Sequence, residues 1–392
     1  MLERVAIVGI GYTPLRSISP EVSYRELIFE AAVKAYRDAG ITPNDVSTFV
    51  SVTEDYIEGT AIADEYVPDQ LGAVLKPVHT VTSDGITGLA SLVMQLETQQ
   101  FDIAVIEAHS KASNIGHPAH IEAFALDPIY ARPLGFHPRY VAGLEMRAFL
   151  AETGNTERQA ALVAVQNRRN ALRNPLAAYP ADLTIDDVLT SPPEAEPLKK
   201  GDVAQPADGA IVMVLARESV LPRVNGRLVF IDGIGWSQHT PNIEERELHR
   251  AIYAEKAAQM AYRMAGITNP ASQIDFAEVD DTFSYKELQH LEALGLARPG
   301  ESGRLLEEGA FTAERGVNSG RSRPGLPVNV SGGHLGCGYT HDMSGLRSVL
   351  EVVLQLRGEA GERQLSGVKV GLAQSWRGIP TATGAVAVLR RL

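Results

Sequence analysis

Apolar and polar positions alternate along the chain with two different periods, which predicts strands and helices in turn. Short apolar runs, VAIVGIG at 5–11 and AIVMVLA at 210–216, have the length of buried strands. Between them, apolar residues recur at helical spacing over 27–39, and Gly40 follows as a helix C-cap. Alternating strands and helices predict an α/β protein with a mainly parallel sheet that is covered on both faces.

The pattern repeats itself along the chain. VAIVGIGYT at 5–13 is similar to LVFIDGIGW at 228–236, and AAVKAYRDAGIT at 31–42 is similar to AAQMAYRMAGIT at 257–268. Because both pairs have nearly the same separation, the sequence predicts a duplication of one structural unit. The predicted halves are residues 1–225 and 226–392.

One long stretch, from about residue 109 to 207, has no counterpart in the second half. It is rich in Pro, His, Asn and Ala and contains the helical pattern TERQAALVAVQNRRNAL at 156–172. An insertion of this length in a compact unit usually covers a site or an interface. We therefore predict a lid or interface segment.

Composition excludes several classes of function. With 36 Lys and Arg against 48 Asp and Glu, the chain has a net charge of −12, which argues against nucleic acid as a partner. The apolar runs are far shorter than the roughly 20 residues that cross a membrane, and the start does not resemble a signal peptide. The expected location is cytoplasmic, with no membrane partner.

The residue types also argue against a bound metal or nucleotide cofactor. Cys337 is the single cysteine, and the closest histidines, His117 and His120, have no third ligand near them in sequence. The Gly9-Ile-Gly11 turn lacks the third glycine of a dinucleotide fingerprint. We expect no metal and no prosthetic group.

Several longer stretches resemble the thiolase superfamily, in particular the branch of the sterol carrier protein X thiolases. They cover most of the chain in the expected order. The stretches are NRRNALRNPLA (167–177), DVLTSPPEAEPL (187–198), ADGAIVMVLA (207–216), FAEVDDTFSYKELQHLEALGL (276–296), LPVNVSGGHLGCGYT (326–340) and LRSVLEVVLQLRGEA (346–360). The resemblance implies a five-layered αβαβα fold of two similar halves, a homodimer, and an acyl-coenzyme A thioester as substrate.

The chain departs from the thiolase pattern at its polar positions. Thr82-Ser83-Asp84-Gly85 stands where thiolases have Cys-Ala-Ser-Gly, so the nucleophilic cysteine is missing. The His-Asp-x-Phe motif becomes Asp280-Asp281-Thr282-Phe283, and Gly-His-Pro becomes Gly338-Tyr339-Thr340. A hydroxyl cannot replace the thiol without an adjacent base, since its pKa is far higher. Ordinary thiolase chemistry is not expected.

Two of these segments resemble the thiolase-like aldolases that shorten steroid side chains. Phe283-Ser284-Tyr285 and Gly338-Tyr339-Thr340-His341 match the positions of their catalytic tyrosines. The resemblance implies retro-aldol cleavage of a 3-hydroxyacyl-CoA without a covalent intermediate, and a small zinc-ribbon and OB-fold partner of the DUF35 type. We predict Tyr285 and Tyr339 as the acid and base, with neither role assigned to either residue.

Other residues of these turns are predicted to support the two tyrosines. Asp280 and His341 are candidates to tune their pKa values, although Asp280 or Asp281 could instead cap the following helix, and His341 could be structural. The small and polar residues of the two glycine turns are predicted to shape a substrate or oxyanion loop. They are Ser83, Asp84, Gly85, Asn329, Gly332, Gly333 and Gly338.

Two other functions stay open at this point. An acyltransferase of the thiolase or Claisen type would use Ser83, Thr82 or Cys337 as acyl acceptor, although Cys337 is interpreted as a small buried residue. A non-catalytic subunit would only bind acyl-CoA or hold a partner. Neither the acyl group nor the need for the partner is encoded in a recognisable motif.

Overall fold

The computed structural model describes residues 3–55, 62–135, 137–223, 227–313, 325–379 and 381–392. Its strands are β1 Val5–Tyr12, β2 Thr48–Val52, β3 Val78–Val81, β4 Ile103–Ser110, β5 Pro193–Ala195, β6 Leu198–Lys199, β7 Gly209–Arg217, β8 Val229–Gln238, β9 Phe276–Glu278, β10 Val370–Arg377 and β11 Thr383–Arg390. Its α-helices are α1 Tyr24–Ala39, α2 Ala63–Tyr66, α3 Pro68–Leu71, α4 Gly85–Glu97, α5 Pro118–Glu122, α6 Arg139–Thr153, α7 Glu157–Ala171, α8 Ile185–Leu189, α9 Ile252–Ala265, α10 Pro270–Gln273, α11 Ser284–Ala293, α12 Ser302–Glu307, α13 Gly333–Cys337 and α14 Ser344–Arg357.

Nine strands form one continuous sheet in the order β3-β2-β4-β7-β1-β8-β11-β10-β9. Strands of the first half occupy one side and strands of the second half the other; among the described residues, Ala6–Phe230 and Ile7–Val229 pair across the joint. Among these strands, β2–β3, β2–β4 and β9–β10 pair in parallel and the rest pair antiparallel. The prediction of a mainly parallel sheet was wrong, because β1, β7, β8 and β11 join the two halves through antiparallel ladders.

Alternate residues of the strands separate three apolar clusters. On β7, even-numbered residues from Ala210 to Ala216 pack with α1, and odd-numbered residues from Ile211 to Leu215 pack with α4 and α14. Strand β11 divides its residues in the same way between the α4 and α14 cluster and a third cluster that contains α9. Two sheet halves thus lie between three helical layers, and the predicted five-layered αβαβα fold is confirmed.

The duplication is visible in how β1 packs on α1 and β8 on α9. Both helices end at a glycine in the left-handed region, Gly40 with φ 67° and Gly266 with φ 67°. A Cβ on Gly11 would lie 1.9 Å from the Ala31 carbonyl oxygen, and the matching Gly235 has equally little room. The strand glycines therefore allow close contact between strand and helix.

We expect Gly11→Ala to destabilise the protein by about 3 kcal/mol or more, because the new methyl group overlaps the α1 backbone and cannot rotate away. Chemical denaturation of the purified variant measures the change. Gly116→Ala is the matched control, since no atom lies within 4 Å of its added methyl group. Equal stability of the two variants would contradict this account of strand and helix packing.

The insertion is largely helical and packs against the second half. Residues of α6 and α7 belong to the same buried cluster as α9 and α11. Glu145 on α6 and Asn167 on α7 are buried, so the insertion contributes side chains to the interior of the second half. The predicted boundary between residues 225 and 226 lies outside the described residues.

Among the described residues, the structure has neither a candidate membrane-spanning helix nor a candidate metal-binding group. In the described ranges, no helix is long and apolar enough to cross a membrane. The same ranges contain no group of three or more His, Cys, Asp or Glu side chains that could hold a metal ion.

Candidate active site

The turn before α4, residues 82–84, corresponds to the position of the nucleophilic cysteine in thiolases. Asp84 is the N-cap of α4: its carboxylate accepts from Ile86 N at 2.9 Å. The same carboxylate accepts from Gly345 N at 3.0 Å and from the Ser375 hydroxyl, which joins α4 to α14 and β10. Burial raises the pKa of Asp84 to about 6. This carboxylate lies at the positive end of α4, where it satisfies Ile86 N; that the turn binds a substrate or oxyanion stays a prediction.

Asp280 is buried behind the site and does not cap α11. Its carboxylate accepts from Thr282 N at 3.0 Å and lies 3.2 Å from His334 Nε2. Although burial alone would raise it, the paired His334 and nearby His290 lower the pKa of Asp280 to about 2. Asp280 is therefore a fixed negative charge in the interior.

Asp281 caps a different helix from the one that follows it. Its carboxylate accepts from His334 N and from Leu335 N at 3.2 Å, both in the first turn of α13. Asn167 Nδ2 donates to it at 2.8 Å and to Glu287 Oε2 at 2.6 Å. Asp281 thus connects the glycine turn to the insertion.

The glycine turn at 329–333 is held by its own side chains. Asn329 has φ 48°, and its amide accepts from Val279 N at 2.8 Å and donates to Glu287 Oε2 at 2.6 Å. Gly332 and Gly333 have φ 108° and 59°, and a Cβ on Gly333 would lie 2.2 Å from Asp281 Oδ2. These contacts fix the conformation of the loop; that it binds a substrate or oxyanion stays a prediction.

Tyr339 lies between two histidines. Its ring centroid is 4.6 Å from that of His341 and 6.1 Å from that of His334, and it is 9% exposed. Burial raises the pKa of Tyr339 well above its ordinary value, and Glu122 and Asp280 add to the effect. Burial lowers the pKa of His341 to about 4. At neutral pH, the site therefore holds a protonated phenol beside a neutral imidazole.

Tyr285 lies in the first turn of α11 and has no exposed surface. Its hydroxyl donates to Glu145 Oε2 at 3.0 Å, and Lys286 Nζ lies 2.7 Å from the same oxygen. Burial raises the pKa of Tyr285 well above its ordinary value, and the Glu145 charge adds to the effect. The structure thus gives Tyr285 an internal partner that the sequence did not suggest.

The two tyrosine turns are neighbours because both bind one extended segment, 204–207. Ala204 N donates to the Thr282 carbonyl at 2.9 Å, and Tyr339 N donates to the Gln205 carbonyl at 2.8 Å. The Asp280 charge raises the pKa of both tyrosines. That the two hydroxyls serve one substrate stays a prediction.

The remaining predicted residues have smaller roles in the geometry. A Cβ on Gly85 would lie 2.4 Å from Leu346 N, and one on Gly338 would lie 2.4 Å from the Ala207 Cβ, so both glycines allow close backbone packing. Ser83 is partly buried and Thr82 is exposed. Cys337 is buried, and burial raises its pKa to about 11, which makes it a poor nucleophile at neutral pH.

Sequence patterns did not predict three residues that lie near the tyrosines: Glu145, Lys286 and His334. Glu145 lies in the middle of an amphipathic helix of the insertion, where no motif marks it. Lys286 and His334 stand inside segments already singled out, next to Tyr285 and Gly333. A charged residue in an otherwise buried helix was the available signal for Lys286.

Comparisons with known proteins agree with this fold. Residues 235–391 match the family described as Thiolase C-terminal domain-like. The chain is 29% identical to an acetyl-CoA acetyltransferase of Methanothermobacter thermautotrophicus, over 99% of both chains. It is also 29% identical to a steroid side-chain-cleaving aldolase of Thermomonospora curvata, over 96% of both chains.

A solved structure, the Ltp2-ChsH2(DUF35) aldolase, superposes with a TM-score of 0.84 at 25% identity, covering 100% of this chain and 99% of that one. The similarity therefore extends over both halves and the insertion. Together with the duplicated five-layered arrangement and the Thiolase C-terminal domain-like match over 235–391, it shows that this chain has a thiolase-like fold.

Proposed function

We propose that the protein is a carbon-carbon lyase, which cleaves a 3-hydroxyacyl-CoA by a retro-aldol reaction into a ketone or aldehyde and a shorter acyl-CoA. The observation that carries the proposal is the pair of changes at the two thiolase turns. Thr82 replaces the nucleophilic cysteine, and Tyr339 brings a phenol next to His341. Such a site can move protons but has no reactive thiol. The aldolase relative and the aldolase structure support the same reaction class.

In the proposed reaction, a base removes the proton of the β-hydroxyl group, and the carbon-carbon bond breaks. The electrons move to the thioester carbonyl and form an enolate, which takes a proton at its α-carbon. Carboxylates of Asp84 and Asp281 occupy the N-terminal ends of α4 and α13. We therefore propose that side-chain donors, and not these helix ends, stabilise the enolate.

Tyr339 is the proposed proton donor and enolate partner. Its raised pKa keeps the phenol protonated at neutral pH, and neutral His341 beside it tunes the hydroxyl. Tyr285 is the proposed base. Because Tyr285 has no exposed surface in the chain, the substrate must open space beside its ring.

We further propose that the substrate carries a steroid side chain, that the chain acts as a homodimer, and that a DUF35-type protein completes the site. Similarity to the steroid side-chain-cleaving aldolase supports the steroid side chain. Similarity to the Ltp2-ChsH2(DUF35) aldolase supports the DUF35-type partner. Coenzyme A enters as part of the substrate, and no other cofactor takes part. The cytoplasmic location stays a prediction.

The test of the proposed function is product identification. The protein, with and without a DUF35-type partner, is incubated with 3-hydroxyacyl-CoA substrates that carry steroid or shorter acyl groups. We expect a ketone or aldehyde and a shortened acyl-CoA in equal amounts. Absence of carbon-carbon cleavage under all these conditions would overturn the proposal.

The second candidate is an acyltransferase, and the name of the Methanothermobacter relative favours it. In this case, Ser83, Thr82 or Cys337 would accept the acyl group. A stable acyl adduct on one of these residues after incubation with acetyl-CoA would support this candidate. A non-catalytic acyl-CoA-binding subunit predicts binding of acyl-CoA without cleavage or adduct, with or without the partner.

A further inference from the structure

The contact between α6 and α11 contains a buried group of charged and polar side chains. Lys286 Nζ lies 2.7 Å from Glu145 Oε2, 2.8 Å from Gln289 Oε1 and 3.2 Å from the Tyr253 hydroxyl. It also lies 4.2 Å from the centroid of the Trp376 ring. Lys286 is 1% exposed, so its charge depends on these neighbours.

Glu145 is the point at which this group meets Tyr285. A single oxygen, Oε2, accepts the Tyr285 hydroxyl at 3.0 Å and pairs with Lys286. The carboxylate is 6% exposed on its side chain and comes from the insertion, whereas Tyr285 and Lys286 come from the second half. Burying an ion pair of this kind is costly and often contributes no more stability than apolar packing would, so stability alone does not account for it.

We propose that Glu145 is the proton acceptor behind Tyr285, and that Lys286 positions the Glu145 carboxylate for this role. This inference rests on the proposed lyase function. The substrate β-hydroxyl gives its proton to Tyr285 Oη, and the Tyr285 proton passes to Glu145 Oε2. The electrons of the broken carbon-carbon bond form the enolate, which Tyr339 protonates. Glu145 loses its proton to solvent, and Tyr339 regains one, after the products leave.

This relay resolves a difficulty of the tyrosine base. A phenol whose pKa lies well above 10 is almost never ionised at neutral pH, so it cannot act as a preformed tyrosinate. Transfer through the Tyr285 hydroxyl to Glu145 leaves the tyrosine neutral before and after the step. Glu145 is thus a positioning residue that acts through Tyr285, and the insertion supplies part of the acid-base machinery.

The test compares Glu145→Gln, Glu145→Asp and the control Glu152→Gln in the lyase assay, with the same partner and substrate. Gln keeps the size of the side chain but cannot take the proton, and Asp can take it from a longer distance. Glu152 is an exposed residue of the same helix. We expect kcat to fall at least 100-fold in Glu145→Gln and less in Glu145→Asp, with KM within threefold of the parent and Glu152→Gln unchanged.

A purely structural role predicts the opposite order, because Gln fits the space better than Asp. The double variant Glu145→Gln/Lys286→Met removes both buried charges and separates folding from chemistry. We expect the double variant to unfold in a cooperative thermal transition, as a folded protein does, and to remain inactive. Recovered activity in the double variant, or Glu145→Gln activity within threefold of wild type, overturns the inference alone. No cleavage by the wild type overturns the proposed function and the inference together.

Discussion

We expect Tyr339→Phe to lower kcat for 3-hydroxyacyl-CoA cleavage by about 10²- to 10⁴-fold, the range found when a positioned acid or base is removed. Phe keeps the ring that packs against His334 and His341 but removes the proton that the enolate takes. Because only one hydroxyl group is lost, the free energy of unfolding should change by about 1 kcal/mol or less. Steady-state kinetics and chemical denaturation of the same preparation measure both effects.

Tyr36→Phe is the matched control for this prediction. Tyr36 is also buried, and its hydroxyl donates to the Leu71 carbonyl at 2.6 Å in the outer layer formed by α1. Its removal should cost a similar stability and leave kcat unchanged. If both variants keep full activity, Tyr339 is structural and the proposed mechanism fails.

We expect a large loss of stability from the change Asp281→Ala. Ala leaves the backbone N–H groups of His334 and Leu335 without their acceptor. One N–H of the Asn167 amide also loses its acceptor, while the other still donates to Glu287. Each unsatisfied buried donor costs about 1–3 kcal/mol, so we expect a loss of about 3 kcal/mol or more. Thermal and denaturant unfolding curves measure the loss.

Asp182→Ala is the control for this prediction. It shows whether the loss of stability depends on where the carboxylate lies, and not on the removal of any carboxylate. Asp182 is exposed and pairs with Arg169 on the surface, where such ion pairs contribute about 0–1 kcal/mol. We expect almost no change in its free energy of unfolding. An Asp281→Ala protein as stable as Asp182→Ala would show that the glycine turn does not depend on this carboxylate.

Much of the fold was predictable because the repeated features are local. The two strand and helix units share their glycine positions, and Gly40 and Gly266 end the equivalent helices in the same conformation. The apolar run at 210–216 also predicted β7 as a buried strand. The strand directions were not predictable, since antiparallel pairing of β1 with β7 and β8 joins segments some 200 residues apart.

The candidate site was only partly predictable for a related reason. Motif positions identified Tyr285, Tyr339 and the glycine turn, because these lie within short continuous segments. Two contacts of the site depend on packing between elements that are distant in sequence. The Asp281 carboxylate caps α13, and Glu145 accepts the Tyr285 hydroxyl. A helical glutamate in an insertion carries no local signal of such a contact.

The central claim is that this thiolase fold breaks a carbon-carbon bond without forming an acyl-enzyme. The most direct measurement is the intact mass of the protein, quenched during turnover of a 3-hydroxyacyl-CoA while product formation is followed in the same sample. The account predicts an unmodified mass together with ketone or aldehyde release. An acyl adduct on Thr82, Ser83 or Cys337 that forms and decays at the rate of turnover would contradict it.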